Sequence, residues 1–327
     1  MIPLIKLPTN KDDAKAVADV VMGKNIGLGE KVFEFEKKLA KFAGSKYAVA
    51  LDSCTSALFL SVKYITEEVG GWGIVIGIPS MTVPLVANAI MEARARLVFT
   101  DDIDWVGTSY NLQGTNIYDS AHELYRGCFK KYPKGSTVCL SFYPTKPLGS
   151  ADGGAILTDD KAFADWVRSI SCYGRNQKSK YQNSWEYEVE MVGYKRHYTN
   201  LQAALCMSQL SRLDNTNKVR GVIRDAYNEA FGLNNTSDYL YRLFIPKRDA
   251  FVKHMKKNGM TCGVHYKPMH MMKAYDDISL VGDVEKVVKG YNETVSIPFY
   301  AGMLSEEIVK VIKFTKEWLE QNQRSDK

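Results

Sequence analysis

No CxxC pair occurs in these 327 residues, and the six cysteines (Cys54, Cys128, Cys139, Cys172, Cys206 and Cys262) are widely scattered. That spacing argues against a structural zinc site or a disulfide framework and for a reduced, cytoplasmic chain. Polybasic runs are missing too. The net charge of +6, from 43 Lys and Arg against 37 Asp and Glu, is spread out, which speaks against nucleic-acid binding and leaves room for an anionic small substrate. The most apolar stretch, Ile74 to Ile90, is broken by Pro79, Pro84 and Asn88 and cannot span a bilayer. The first residues, Met1 to Lys6, lack the layout of a signal peptide. Internal repeats and low-complexity segments are absent as well.

What is present is an alternation of short apolar runs and helical patterns. Val32, Phe35, Leu39 and Phe42 recur at helical spacing and stop at Gly44. The runs Tyr47–Leu51, Ile74–Ile78, Leu97–Phe99, Ile117–Tyr118, Val138–Phe142 and Ala155–Thr158 predict strands, and Lys161 to Ile170 predicts a helix. Continuous apolar strands between helices predict a three-layer α/β/α unit with a mostly parallel sheet. A helix runs on through Leu201, Leu205, Leu210 and Leu213. Beyond about Asn215 the pattern becomes α+β. Strands are expected at Tyr239–Ile245 and Thr261–Tyr266, a helix from Pro246 to Asn258, and a last helix capped by Ser305. The division expected is a large domain over 1–215 and a small one over 216–327.

Lys146 lies just past the apolar run Val138–Phe142 and before the glycines Gly149, Gly153 and Gly154. A desolvated amine there suits attack on the aldehyde of pyridoxal phosphate (PLP). Ser53, Asp119 and Ser141 lie at the carboxyl ends of other predicted strands, where α/β sheets bind ligands. Ser53-Cys54-Thr55 opens a helix, an anion site by its amides and dipole; taken alone, it reads as a plain N-cap with nothing bound. Asp119 could pair with a pyridine nitrogen or be a turn aspartate, and Ser141 could add to the phosphate site or be a core-edge serine.

Seven strings, in order along nearly the whole chain, resemble the DegT/DnrJ/EryC1/StrS family of PLP-dependent sugar aminotransferases. They are Gly29–Glu36, Asp52–Leu58, Ala87–Ile90, Asp119–His122, Ser141–Lys146, Thr199–Leu205 and Gly263–Tyr266. The resemblance implies PLP fold type I, with a small C-terminal α+β domain. It makes Lys146 the Schiff-base lysine and proton carrier, Asp119 the partner of the pyridine nitrogen, and His122 that of the phenolic oxygen. Cys54, Thr55 and Ser141 would hold the phosphate. It further implies a homodimer with shared sites, a nucleotide-linked keto sugar as substrate and L-glutamate as amino donor. Arg175, Asn176, Tyr194, His265 and Tyr266 are the expected substrate contacts.

The chain also departs from the family's pattern. Lys195 stands where an Asn reaches the neighbour's phosphate, and Val83 where an aromatic stacks on the ring. Between Asp104 and Asp119 the family has an extra strand and helix; here Trp105 to Asn116 connects directly. At ~3.3–3.6 Å per residue such a link reaches roughly 40 Å, which predicts a sheet one strand short with a non-helical crossover. These departures make a non-catalytic PLP-binding sensor conceivable. A sugar dehydratase of the same family carries histidine in place of the lysine, and Lys146 argues against it.

Overall fold

The structure is a computed structural model that describes residues 1–68, 70–71, 73–175 and 187–323. Helices α1 (Lys11–Met22) and α2 (Glu30–Ala43) lead into β1 (Tyr47–Leu51) and α3 (Cys54–Lys63), followed by β2 (Val75–Pro79), α4 (Pro84–Glu92) and β3 (Arg96–Thr100). Next come β4 (Tyr110–Asn111), β5 (Ile117–Asp119), β6 (Thr137–Ser141), β7 (Gly154–Thr158) and α5 (Lys161–Ser171). The remainder is α6 (Asn200–Leu210), α7 (Leu213–Phe231), β8 (Tyr241–Phe244), α8 (Arg248–Lys257), β9 (Leu280–Val281), α9 (Val284–Glu293), β10 (Thr294–Ile297) and α10 (Ser305–Gln323).

Five strands pair in the order β1-β7-β6-β5-β4, and β2-β3-β9 form a neighbouring sheet. The sheets are mixed: β5 and β6 are parallel, as are β2, β3 and β9, while β7 runs antiparallel to both β1 and β6. Thus β1, β5 and β6 all point the same way. Their side chains alternate between two cores. Val49 and Leu51, Cys139 and Ile156 pack into one, with α3, α4 and α5. Ala48 and Ala50, Val138 and Leu140, Ala155 and Leu157 pack into the other, with α2 and α6. Burial on both faces is why these strands read as continuous apolar runs, and it makes the three-layer α/β/α arrangement. Two of the sequence strings meet here: Asn200 accepts from the Val32 amide at 3.2 Å and donates to the Asn25 carbonyl at 2.9 Å.

The link from Trp105 to Asn116 is non-helical, as its length implied, but it also fills the gap it leaves. Its middle forms β4, antiparallel to β5. The Gly77 and Gln113 amides and carbonyls then exchange bonds of 3.1 and 2.8 Å, joining β4's end to β2. Gly114, at φ +88, lies so close to the Val75 carbonyl that a Cβ would sit 2.7 Å from that oxygen, so the turn back toward β5 needs glycine.

In the C-terminal part β8 and β10 form an antiparallel pair under α7, α8 and α10, around a third core with Tyr227, Tyr241, Phe251 and Phe299. The strand expected at Thr261–Tyr266 is not formed. In that stretch only Gly263 pairs with β10, at Ser296, while the Thr261 amide donates to the Ile2 carbonyl at 2.9 Å. The following segment returns to the first core through Met269 and Tyr275 and adds β9 to the edge of β3. Among the described residues no helix is long and apolar enough to cross a membrane.

Candidate active site

Parallel β1, β5 and β6 bring Ser53, Asp119 and Ser141 to one edge of the sheet. Gly154 pairs with Leu51 on one side and Ser141 on the other, which sets the α3 turn opposite Ser141. The approach is close: a Cβ on Gly154 would lie 2.4 Å from the Cys54 nitrogen. Ser53 caps α3 by accepting from the Ser56 amide, a contact worth about 1 kcal/mol. The Cys54 and Thr55 amides, at the first two positions of the helix, have no acceptor among the described residues. They open onto a cavity of about 650 Å³.

Asp119 is buried at the floor of this cavity, 4% exposed. One carboxylate oxygen, Oδ1, accepts from the Ala121 amide at 2.9 Å, and Oδ2 accepts from the Tyr110 hydroxyl at 3.0 Å. Burial pushes its pKa up, and the Ala121 amide, Lys146 and Tyr110 pull it back in part. Tyr110 stays a neutral phenol because burial and the neighbouring carboxylate raise it far above its usual range. Its one proton goes to Asp119, so the Thr82 hydroxyl, 3.1 Å away, donates to Tyr110.

His122 is held neutral by burial and by the positive charge of Lys146. Its Nδ1 accepts from the Gly107 amide at 3.1 Å, so the proton of the neutral ring sits on Nε2. Nε2 lies 3.0 Å from the Tyr266 hydroxyl. Trp105 stacks on the His122 ring with centroids 5.0 Å apart. Lys146 Nζ has no hydrogen-bond acceptor or carboxylate partner among the described residues; it faces the Tyr239 ring at 5.2 Å. His265 donates to or accepts from Ser296 Oγ at 2.9 Å, and burial lowers its pKa to about 4.

Ten of the residues singled out in the sequence line this one cavity: Ser53, Cys54, Thr55, Val83, Asp119, His122, Ser141, Lys146, His265 and Tyr266. Val83 is the residue before Pro84 at the start of α4. The Cys54 thiol is raised by burial and by Asp119, which keeps it protonated and unreactive. Three others lie elsewhere. Tyr194 packs edge-on against Phe59. Arg175 stacks on Tyr187 at 4.7 Å. Lys195 is exposed and pairs through its backbone with Cys172. Asn176 falls outside the described residues. Sequence reasoning passed over Trp105, Tyr110, Thr82 and Tyr239, whose parts depend on contacts made across the fold; the dense aromatic content of the 105–110 stretch was the available signal.

The cavity suits pyridoxal phosphate. It offers an unpaired amine, a buried carboxylate with lone pairs to spare, two free amides at a helix N-terminus, and apolar walls from Val83 and Ala121. Among the described residues no cluster could hold a metal ion.

Similarity to known proteins agrees with this geometry. The model of the DegT/DnrJ/EryC1/StrS aminotransferase family matches residues 8–119 and 115–316. The two pieces meet at the end of the Trp105–Asn116 link. The spore coat polysaccharide biosynthesis protein SpsC of Bacillus subtilis is 31% identical, with 97% of this chain and 95% of that protein covered. The UDP-4-amino-4,6-dideoxy-N-acetyl-beta-L-altrosamine transaminase of Campylobacter jejuni is 25% identical, with 89% of each covered. Among solved structures, the putative sugar aminotransferase Spr1654 of Streptococcus pneumoniae, in its PLP form, superposes with a TM-score of 0.80 at 21% identity, covering 98% of this chain and 99% of that one. With the family model spanning nearly its full length, this chain belongs to the DegT/DnrJ/EryC1/StrS aminotransferase family.

Proposed function

We propose that this aminotransferase converts a nucleotide-linked keto sugar to the amino sugar, with L-glutamate as amino donor and pyridoxal phosphate as cofactor. The observation that carries the reading is the meeting of Lys146, Asp119 and the α3 N-terminus in one cavity. When bound, the cofactor supplies the electron sink that stabilises a carbanion next to the amino nitrogen. The chain's own groups do the rest. The Cys54 and Thr55 amides, with the Thr55 and Ser141 hydroxyls, take the phosphate at the positive end of α3. Asp119, ionised, keeps a proton on the ring nitrogen. His122 presents Nε2–H toward the ring's phenolic oxygen, in a tautomer set by the Gly107 amide.

Lys146 Nζ is the group that carries the proton between donor or sugar carbon and cofactor carbon. Tyr239 backs it with an aromatic face rather than a carboxylate. His265 and Tyr266 border the same cavity and are placed to contact the substrate. The relative that acts as a UDP-amino-sugar transaminase supports the substrate class. A homodimer with shared sites is part of the same reading. Lys195 stands exposed outside its own cavity, the placement needed by a group that serves a neighbour's phosphate.

The test uses the purified chain loaded with pyridoxal phosphate. A cofactor absorbance band that bleaches on adding L-glutamate, and recovers with a UDP-linked keto sugar, is expected. Lys146→Ala is expected to remove the band's lysine-dependent form and lower turnover by at least about 10³-fold. Wild-type band and turnover in that variant, or a wild-type band indifferent to every amino donor, would sink the reading.

A further inference from the structure

Tyr110 lies on β4, within the 105–116 link, next to the point where the two matched pieces of the family model meet. It is 5% exposed, its ring packs edge-on against Trp105 at 4.5 Å, and its hydroxyl lies between Thr82 and Asp119. Packing alone would be served by phenylalanine. The hydroxyl has one donor proton, and the fold directs it to the carboxylate.

We propose that Tyr110 is a positioning residue for Asp119, and that the 105–116 link is thereby a built part of the cofactor site rather than a bare connection. The proposal rests on the PLP reading given above. Ala121 takes one carboxylate oxygen and Tyr110 the other, 2.9 and 3.0 Å away. One bond to each oxygen fixes the carboxylate plane and leaves a lone pair on each for the ring nitrogen. The two bonds also favour the ionised form that burial opposes.

The same link holds the neighbouring cofactor contact. Trp105 stacks on His122, and the Gly107 amide sets the His122 tautomer. Gly107 is itself tied down: Ser237 Oγ donates to its carbonyl at 2.8 Å, and at φ +100 a Cβ there would meet that Oγ at 2.6 Å. Ser237 Oγ accepts in turn from the Tyr239 and Leu240 amides. The strand ends supply the carboxylate and imidazole, and the link aims them.

The groups that face Asp119 are Tyr110, Lys146, Cys54, Cys139 and Tyr266. Burial keeps the thiols and phenols neutral, and His122 beside it is neutral too. Loss of the Tyr110 hydroxyl therefore acts on the carboxylate's own protonation.

The experiment compares full-length wild type and Tyr110→Phe for binding of pyridoxal phosphate, followed by tryptophan fluorescence from pH 5 to 8.5, alongside steady-state kinetics. Expected are a roughly tenfold weaker affinity at neutral pH, and loss of affinity on acidification that begins at higher pH than in wild type. The kcat should fall with the sugar KM unchanged. Thr82→Val, which removes only the donor to Tyr110, should shift affinity in the same direction by less; it also carries the test if Tyr110→Phe does not fold. Wild-type affinity and pH dependence in Tyr110→Phe would overturn the assignment alone. A wild-type protein that takes up no pyridoxal phosphate would overturn the functional reading, and this one with it.

Discussion

Two regions build the same cavity by different means. The frame, made of the carboxyl ends of β1, β5 and β6, carries Thr55, Asp119, Ser141 and Lys146 on a sheet buried from both sides. The wall, residues 105–116, has a two-residue strand, a single backbone pair to β2, and three side-chain or amide contacts to Asp119 and His122. In the frame, position follows from a sheet register that many buried residues enforce. In the wall it follows from a few specific contacts. The chemistry sits on the part of the fold that is hardest to displace, and its fine aim on the part most open to replacement.

The sharpest way to break the comparison is to remove charge from the frame without changing its shape. Asp119→Asn keeps an acceptor for the Ala121 amide, and Tyr110 can turn to accept from the new amide. Turnover should fall by about 10³-fold, since the ring nitrogen loses its anionic partner. Thermal stability of the cofactor-free protein should hold or rise, because a buried carboxylate that burial disfavours has gone. Calorimetry and kinetics on the same sample read both. A loss of stability beyond about 1 kcal/mol would mean that Asp119 is part of the frame's structure and not mainly its chemistry.

The wall is tested by Trp105→Ala. Trp105 is 6% exposed, stacks on His122 and donates from Nε1 to the Met81 carbonyl at 3.2 Å. Its removal should cost about 3 kcal/mol of stability in chemical denaturation. Cofactor affinity should weaken too, though turnover should fall far less than in Asp119→Asn. Unchanged affinity with full loss of stability would make the wall a passive filler.

How much of each region could be read from the chain follows the same division. β1, β5 and β6 were legible because burial on both faces leaves an unbroken apolar run, and Ser53, Asp119 and Ser141, at or just past the ends of those runs, line the cavity. The wall was legible only as a length. Tyr110 and Gly107 act through Asp119 and His122, 9 and 15 residues away in sequence, and no local periodicity announces such contacts. Thr261–Tyr266 failed for the opposite reason. Its local β-propensity was sufficient, but the partner strand β10, diluted by Thr294 and Ser296, was not recognised, and only Gly263 pairs with it. Helix α1 was passed over because Asp13 and Val20 are its buried residues, too few to mark an apolar face. Its capping box between Asn10 and Asp13 was the readable sign.

The smallest expected effect lies where the C-terminal part closes over both regions. His265 lines the cavity with its pKa lowered to about 4 by burial, with Lys146 and Arg242 adding positive charge nearby. In the unfolded chain it titrates near 6.5. Between those values the unfolded state binds a proton that the folded state does not, so stability should fall as pH drops from about 6.5 toward 4. The full linkage would be about 3 kcal/mol; screening through the cavity mouth reduces the expectation to about 1–2 kcal/mol. His122 adds a loss of the same sign, while Asp119 and Glu36, whose pKa values burial raises, oppose it. The difference between wild type and His265→Gln isolates the His265 share. Urea unfolding of both cofactor-free proteins at pH 7 and pH 5 should show a smaller acid loss in the variant. Equal losses would place His265 in solvent contact in the free protein, and would remove it from the closed surface that joins the C-terminal part to the frame.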